Sequence, residues 1–251
     1  MRDSDQTEAQ QIRHVIWDWN GTLLDDTQAG VNAVNGMLHA RGLPPLDLAR
    51  YRDLFGFPVR HFYEAIGFRL ESEDWDAMAR EFHDRFLSEP CIQLHREAAG
   101  VLQRFSDAGI SQSVLSASEQ SILERMLTTF EVGHYFAHIF GVDNLYGHSK
   151  LDLGRALLER LTVPRNGILL IGDSLHDHEV AEALGVQCLL IAQGHQSYER
   201  LARCGAPVLH RLSDLDAWLA RQVTASACVP SRQQPSSPLF QPGHQADRPA
   251  L

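Results

Sequence analysis

Two short apolar runs, each broken by an acidic turn, constrain this chain more than any other feature. Val15-Ile16-Trp17 runs into Asp18-Trp19-Asn20-Gly21-Thr22, and Ile168-Leu169-Leu170-Ile171 runs into Gly172-Asp173-Ser174-Leu175-His176-Asp177. A short unbroken apolar run bounded by turn residues reads as a strand buried on both faces. Such strands belong to parallel sheets covered by helices, and those sheets place ligands in the crevice beyond the strands' carboxyl ends. Two strands delivering carboxylates to one sheet edge make an acidic crevice.

The remaining pattern supplies the helices. From residue 92 onward, helix and strand signals alternate: helices near 97–108, 119–129, 150–161, 176–184, 196–203 and 213–221, with strands at 113–116, 138–142, 168–171, 187–191 and 207–209. That alternation predicts an α/β fold, a Rossmann-like parallel sheet core with helices on both faces, built from residues 12–25 and 92–221. Between the two parts of the core the period changes to helical. Val31, Val34 and Leu38 form one stripe, ended by Gly42 and Pro44-Pro45. Trp75, Met78, Ala79, Phe82 and Phe86 form another, with Ser72 as its expected N-cap and Glu73 and Asp74 in the first turn. Residues 26–91 therefore read as an inserted helical cap domain. Residues 1–11 read as a flexible N-terminus, and 222–251, rich in Pro, Ser, Gln and Arg, as a disordered tail.

Charge and cysteine usage narrow the function classes. Lys and Arg total 22 against 32 for Asp and Glu, a net charge of −10 that disfavours a nucleic-acid partner. No apolar run is long enough to cross a bilayer and residues 1–11 hold no apolar signal core, so no membrane partner and a cytoplasmic location are expected. Cys91, Cys188, Cys204 and Cys228 are too scattered for a zinc site or a disulfide framework. Nothing in the pattern indicates an oligomeric state.

The crevice chemistry follows from residue types. Asp18 ends a strand and opens a glycine-containing turn, so backbone N–H groups around Trp19 and Asn20 can cradle a phosphate. A carboxylate there can attack phosphorus. Asp173 and Asp177, four apart across a strand end and a helix start, suit a magnesium ion, which prefers oxygen ligands. Ser116 and Ala117 close the strand at 113–116 with a hydroxyl and an N–H. Lys150 opens a helix after Gly147-His148-Ser149. Taken singly, each has an ordinary alternative: Asp18 with Thr22 organising a turn, Asp173 with Ser174 capping a helix, Lys150 solvated at the surface.

In this order, Asp18, Ser116, Lys150 and the Asp173/Asp177 pair resemble the motif set of the haloacid dehalogenase superfamily. The segment after the first turn resembles the helical cap of its phosphoglycolate phosphatase and β-phosphoglucomutase group. The resemblance implies a Mg²⁺-dependent phosphatase of a small phosphorylated metabolite. Asp18 would be the nucleophile, Ser116 and Lys150 would bind the phosphoryl group, and Asp18, the main-chain carbonyl of Asn20 and Asp173 would hold the metal, with Asp177 and Thr22 behind them. Gly56-Phe57-Pro58-Val59-Arg60 resembles a substrate-facing cap loop, which would bring Arg60 or His61 to the leaving group, although Arg60 equally suits a helix surface.

One residue departs from the family pattern. Where the phosphatases carry an acid/base aspartate two positions after the nucleophile, this chain has Asn20, which cannot transfer a proton. Three readings stay open: a phosphatase for good leaving groups, an enzyme drawing its proton from His176, His178 or His195, or a catalytically weak relative that binds a phosphometabolite or a partner. Branches of the superfamily that cleave phosphonates or carbon–halogen bonds also replace this aspartate. Asn20-Gly21 is in addition a deamidation-prone pair that would convert residue 20 to aspartate. His176 and His178 also suit an exposed helix start.

Overall fold

The computed structural model describes residues 11–146 and 150–227. In chain order these form β1 (His14–Trp17), β2 (Leu24–Asp25), α1 (Thr27–Ala40), α2 (Leu48–Leu54), α3 (Val59–Ala65), α4 (Trp75–Leu87), β3 (Gln93–Leu94), α5 (Ala98–Asp107), β4 (Ser111–Glu119) and α6 (Gln120–Thr129). There follow β5 (His138–Val142), α7 (Leu151–Arg160), β6 (Ile168–Gly172), α8 (Leu175–Leu184), β7 (Gln187–Ile191), α9 (Tyr198–Leu201), β8 (Val208–Leu209) and α10 (Leu215–Ala227). Expectations for residues 1–10, the Gly147-His148-Ser149 turn, the tail from 228 and Cys228 lie outside the described residues.

Six strands make one parallel sheet in the order β5-β4-β1-β6-β7-β8. Side chains alternate across it as the pleat requires. Val15 and Trp17 join Val114, Leu169, Ile171, Leu189 and Ile191 on one face, under Leu102 and Phe105 of α5 and Leu123 of α6. Ile16 joins Leu115, Ile168 and Leu170 on the other, under Leu157 of α7 and Val180 and Leu184 of α8. Each fully buried aliphatic side chain contributes about 1.5–3 kcal/mol over an exposed one, so both faces must be covered, which explains why these strands read as unbroken apolar runs. The one polar group on this side of β1, the Trp17 indole N–H, donates to Gln112 at 3.0 Å, and Gln112 in turn donates to the Leu102 carbonyl at 2.9 Å.

The insertion holds α1 to α4 around its own cluster of Val31, Val34, Met37, Leu38, Tyr51, Phe62 and Met78. Arg41, just past α1, forks onto Glu73 at 2.7 and 2.9 Å and reaches Glu81 of α4 at 3.0 Å, pinning the two long helices together. At the hinge, β2 and β3 pair antiparallel. These two-residue strands are too short to show alternation and were not expected from the pattern.

Three local expectations are corrected. The N-cap of α4 is Asp74, whose carboxylate accepts the Ala77 N–H at 3.1 Å; Ser72 instead sits in a 3₁₀ turn and donates to the Arg69 carbonyl. Segment 59–65 is the helix α3, so Val59 and Arg60 are helical and not part of a loop. The last helix continues to Ala227, past the boundary expected at 221. Among the described residues no helix is long and apolar enough to cross a membrane.

Candidate active site

Strand order builds the site. β1 lies between β4 and β6, and its register places Trp17 level with Val114 and Ile171, so the residues that follow each strand emerge side by side. Those residues are Asp18 after β1 and Asp173 after β6; Ser116 reaches the same crevice from inside β4, which does not close at residue 116 as expected but runs on to Glu119 through an irregularity after Leu115. The chain leaves β1 toward β4 and β5 and returns on the opposite side at β6, which makes the β1/β6 boundary a topological switch point, the place where open α/β sheets open a crevice.

Lys150, immediately before α7, is buried to 2% exposure and is held by three oxygens. Its Nζ lies 2.5 Å from Asp18 Oδ1, 2.6 Å from Asp177 Oδ1 and 3.0 Å from the Leu115 carbonyl. The Thr22 hydroxyl donates to the other Asp18 oxygen at 3.3 Å. Asp177 Oδ2 closes a capping box on α8, accepting the Ser174 hydroxyl at 2.6 Å and N–H at 3.0 Å. Asp173 accepts the His195 N–H at 2.5 Å. Burial pushes Lys150 down, but its two carboxylate neighbours more than offset this and raise it. Asp177, penalised by burial, is brought below its ordinary value by Lys150. One ammonium cannot compensate three carboxylates. Burial therefore raises Asp18 to about 6, against the pull of Lys150, and raises Asp173 to about 8.

The donor set fits a hard divalent cation. Asp18, Asp173 and Asp177 each offer an oxygen, all within 4.8 Å of one another and all buried. Gly21 and Gly194 keep the space around Asp173 clear, since a Cβ at either position would collide with its carboxylate. Burial and neighbouring carboxylates disfavour the charged forms of Asp18 and Asp173, and a positive charge at this point relieves that.

Ser116 is buried and accepts the Ser118 N–H at 3.0 Å, and Ala117 lines the crevice beside it. The Trp19 indole is turned into the core, where its N–H lies 3.5 Å from Met126 Sδ, so only its main chain faces the turn.

Sequence reasoning missed Asp26, Ser118 and Tyr51. Asp26 occupies the N-cap position of α1 yet makes no side-chain cap. Its carboxylate instead accepts Asn20 Nδ2 at 2.6 Å and the Gly21 N–H at 2.8 Å, and meets His195 Nε2 at 3.2 Å. Asn20 Oδ1 accepts the Ser118 hydroxyl at 2.6 Å, while His195 Nδ1 meets the Tyr51 hydroxyl of α2 at 3.1 Å. Burial disfavours a charged His195, but the adjoining Asp26 carboxylate prevails and raises it to about 9. A buried polar chain thus runs from the insertion to the sheet edge. Its only visible sequence signal was an acidic residue at a helix start.

Above the carboxylates lies a cavity of about 150 Å³ between sheet edge and insertion. His176 lines it, its ring 4.8 Å from that of Phe57 and tilted by 32°, and burial brings it below the usual histidine range. His195 lines it too. The expected substrate contacts Arg60 and His61 do not: Arg60 is half-exposed, 3.8 Å from Glu64 and over the Trp75 ring, and His61 points to solvent. Register on α3 explains this, because Phe57 and Val59 take the inward positions. His178 lies outside the cavity, 3.7 Å from Glu182.

Fold and site together define a family of hydrolases with a Rossmann-like parallel sheet and an acidic crevice. The chain belongs to the haloacid dehalogenase-like hydrolases, whose family profile matches residues 15–191. Among curated relatives, it is 27% identical over 206 residues to N-acetylmuramic acid 6-phosphate phosphatase of Pseudomonas aeruginosa, covering 79% of this chain and 90% of the relative. It is 28% identical to a 5'-nucleotidase of the same organism (90% and 100% covered) and 25% identical to its phosphoglycolate phosphatase 1 (81% and 78%). A haloacid dehalogenase-like hydrolase from Streptococcus pneumoniae superimposes with a TM-score of 0.70 at 20% identity, covering 82% and 98% of the two chains. CbbY from Rhodobacter sphaeroides, in complex with phosphate, does so at 0.63 and 21% (82% and 96%). Likeness at that identity shows the shared fold.

Proposed function

We propose that this chain is a magnesium-dependent phosphatase that hydrolyses a small phosphorylated metabolite through Asp18, in the manner of the phosphoglycolate phosphatase group. One observation carries the reading: Lys150 bridges Asp18 and Asp177 at the point where Asp173 also emerges. Only a site that must hold a negatively charged group against carboxylates justifies burying so many charges together.

Asp18 is fixed from both sides, by Lys150 on one oxygen and Thr22 on the other. In the first step an Asp18 oxygen bonds to phosphorus while the bond to the ester oxygen breaks, and the electron pair departs with that oxygen. In the second, water attacks phosphorus, the bond to Asp18 breaks, and the carboxylate is regenerated with phosphate released. Lys150 offsets repulsion between nucleophile and phosphate, and the Ser116 hydroxyl and Ala117 N–H stand where phosphoryl oxygens would lie. Asp18, Asp173 and the Asn20 main chain would hold Mg²⁺, with Asp177 against them, and the ion would neutralise charge on the transferring group. The insertion acts as a cap that excludes water.

Asn20 sets the limit on this chemistry. Its amide is tied to Asp26 and Ser118 and offers no proton to a departing alkoxide. The best substrates are therefore esters whose leaving oxygen departs without protonation. The test is hydrolysis of p-nitrophenyl phosphate with and without Mg²⁺, in the native chain and in Asp18→Asn. Magnesium-dependent turnover lost in Asp18→Asn supports the reading. Absence of turnover in the native chain favours the second reading, a phosphometabolite-binding relative, to which the tied Asn20 amide also points.

A further inference from the structure

The cavity has two ends of opposite character. Its floor is the cluster of Asp18, Lys150 and Asp173, and its walls are the rings of Phe55, Phe57, Phe62, Trp75, Phe82 and Phe86. Three strands and a lysine make the floor; α2, α3, α4 and the turn before α3 make the walls. A phosphorylated carboxylic acid or a phosphosugar entering phosphate-first would have to place its charged or hydroxylated remainder among those rings.

The walls offer such a remainder no cation. Lys150 is the only Lys or Arg in the cavity lining among the described residues, and it is taken up by Asp18 and Asp177 on the floor. Nearby arginines are turned away. Arg52 donates to the carbonyls of Gln193 and Gly194, Arg200 to the carbonyl of Phe55, and Arg60 lies outside beside Glu64. Several polar groups on the walls are already partnered: Tyr51 and Asp26 take both nitrogens of His195, Tyr63 reaches Met37 Sδ, and His83 Nδ1 lies against the Ala79 carbonyl. His176 Nε2 is a buried nitrogen with no hydrogen-bond partner, on a ring tilted by 32° against that of Phe57. Leaving a carboxylate unpaired among apolar rings costs several kcal/mol, whereas an aromatic group gains from both burial and ring contacts.

We propose that this subsite takes an uncharged aromatic group, so that the substrate class is a phosphate monoester of a phenol and not a phosphorylated carboxylic acid. The inference rests on reading the acidic floor as the phosphate end. It agrees independently with Asn20, because an aryl oxide is a leaving group that departs without a proton. His176 Nε2 supplies one hydrogen bond to a polar atom on the ring.

Binding of non-hydrolysable phosphonates separates the subsite from leaving-group chemistry. Calorimetry in Mg²⁺ compares benzylphosphonate with phosphonoacetate on the native chain, Phe57→Ala and Trp75→Ala, with Phe57→Leu as the variant that keeps an apolar filler. Benzylphosphonate is expected to bind at least tenfold more tightly than phosphonoacetate, with the preference lost in both alanine variants and largely kept in Phe57→Leu. Equal or tighter binding of phosphonoacetate overturns the proposal while leaving the phosphatase reading intact. The expected preference without turnover of any phosphate ester upholds the subsite and removes the phosphatase reading. No binding of either phosphonate contradicts both.

Discussion

The side-chain amide of Asn20 donates to Asp26 Oδ2 at 2.6 Å, while the Gly21 N–H and His195 Nε2 close on the other Asp26 oxygen at 2.8 and 3.2 Å. The crevice therefore does contain a carboxylate beside residue 20, although residue 20 is not itself acidic. A buried pair of carboxylates at this separation would force one to keep its proton. We accordingly expect Asn20→Asp alone to change turnover of alkyl phosphates little, because the new acid would share a proton with Asp26. Asn20→Asp combined with Asp26→Asn restores an amide–carboxylate pair in reversed order, and kcat on an alkyl phosphate such as glycerol phosphate should rise about 10²-fold, the lower end of what a positioned acid/base supplies. Equal rates for the single and double variants would remove this account of Asn20.

Lys150 is the sole cation against two of the floor carboxylates, so its removal leaves Asp18 and Asp177 uncompensated. Lys150→Met should lower stability by about 3–5 kcal/mol, the scale for breaking a buried pair. Adding Asp177→Asn should recover part of that loss. Urea unfolding of the two variants measures it, and additive losses would show that Lys150 and Asp177 do not interact as the structure has them.

Metal should stabilise the fold, and more so at higher pH. Burial raises the pKa of Asp18 to about 6 and that of Asp173 to about 8. The folded state thus holds more protons than the unfolded one, and without metal this contribution to stability is lost as pH rises through those values. Magnesium takes the place of those protons, so the Tm shift on adding Mg²⁺ should grow between pH 5 and pH 8, the underlying stabilisation approaching about 2.7 kcal/mol at a hundredfold excess over Kd. In Asp173→Asn the shift should largely vanish; a shift independent of that residue would place the ion elsewhere.

His14, fully buried in β1 with neither ring nitrogen hydrogen-bonded, is lowered from 6.5 to about 4 by burial and by His138 nearby. Its lowered pKa means that the unfolded chain binds the proton first. The neutral ring's contribution is whole above pH 6.5 and fades as pH falls toward 4, by at most about 3 kcal/mol. His14→Phe should therefore narrow the gap in urea midpoint between pH 7.5 and pH 5. An unchanged gap would show that another group governs acid sensitivity.

The sheet was legible because its strands are buried on both faces, so Ile168–Ile171 and the strand before Asp18 announced themselves as apolar runs ending in acid. Helices with an apolar stripe, such as α4, were equally plain. What stayed hidden depends on proximity in space. Asp26 and His195 meet only when the insertion folds back on the loop after β7, and the pairing of Ser118 with Asn20 depends on β1 and β4 lying side by side. Arg60 was expected at the substrate because charge suits an anionic ligand, but one turn of α3 decides that Val59 faces inward and Arg60 outward.

Trapping the covalent intermediate tests the central proposition, that Asp18 attacks phosphorus. Borohydride reduces an acyl phosphate to the alcohol, so quenching during turnover of p-nitrophenyl phosphate in Mg²⁺ should convert residue 18 to homoserine, found by peptide mass mapping and absent without substrate. Homoserine at another carboxylate, or turnover with residue 18 unmodified throughout, would contradict the account.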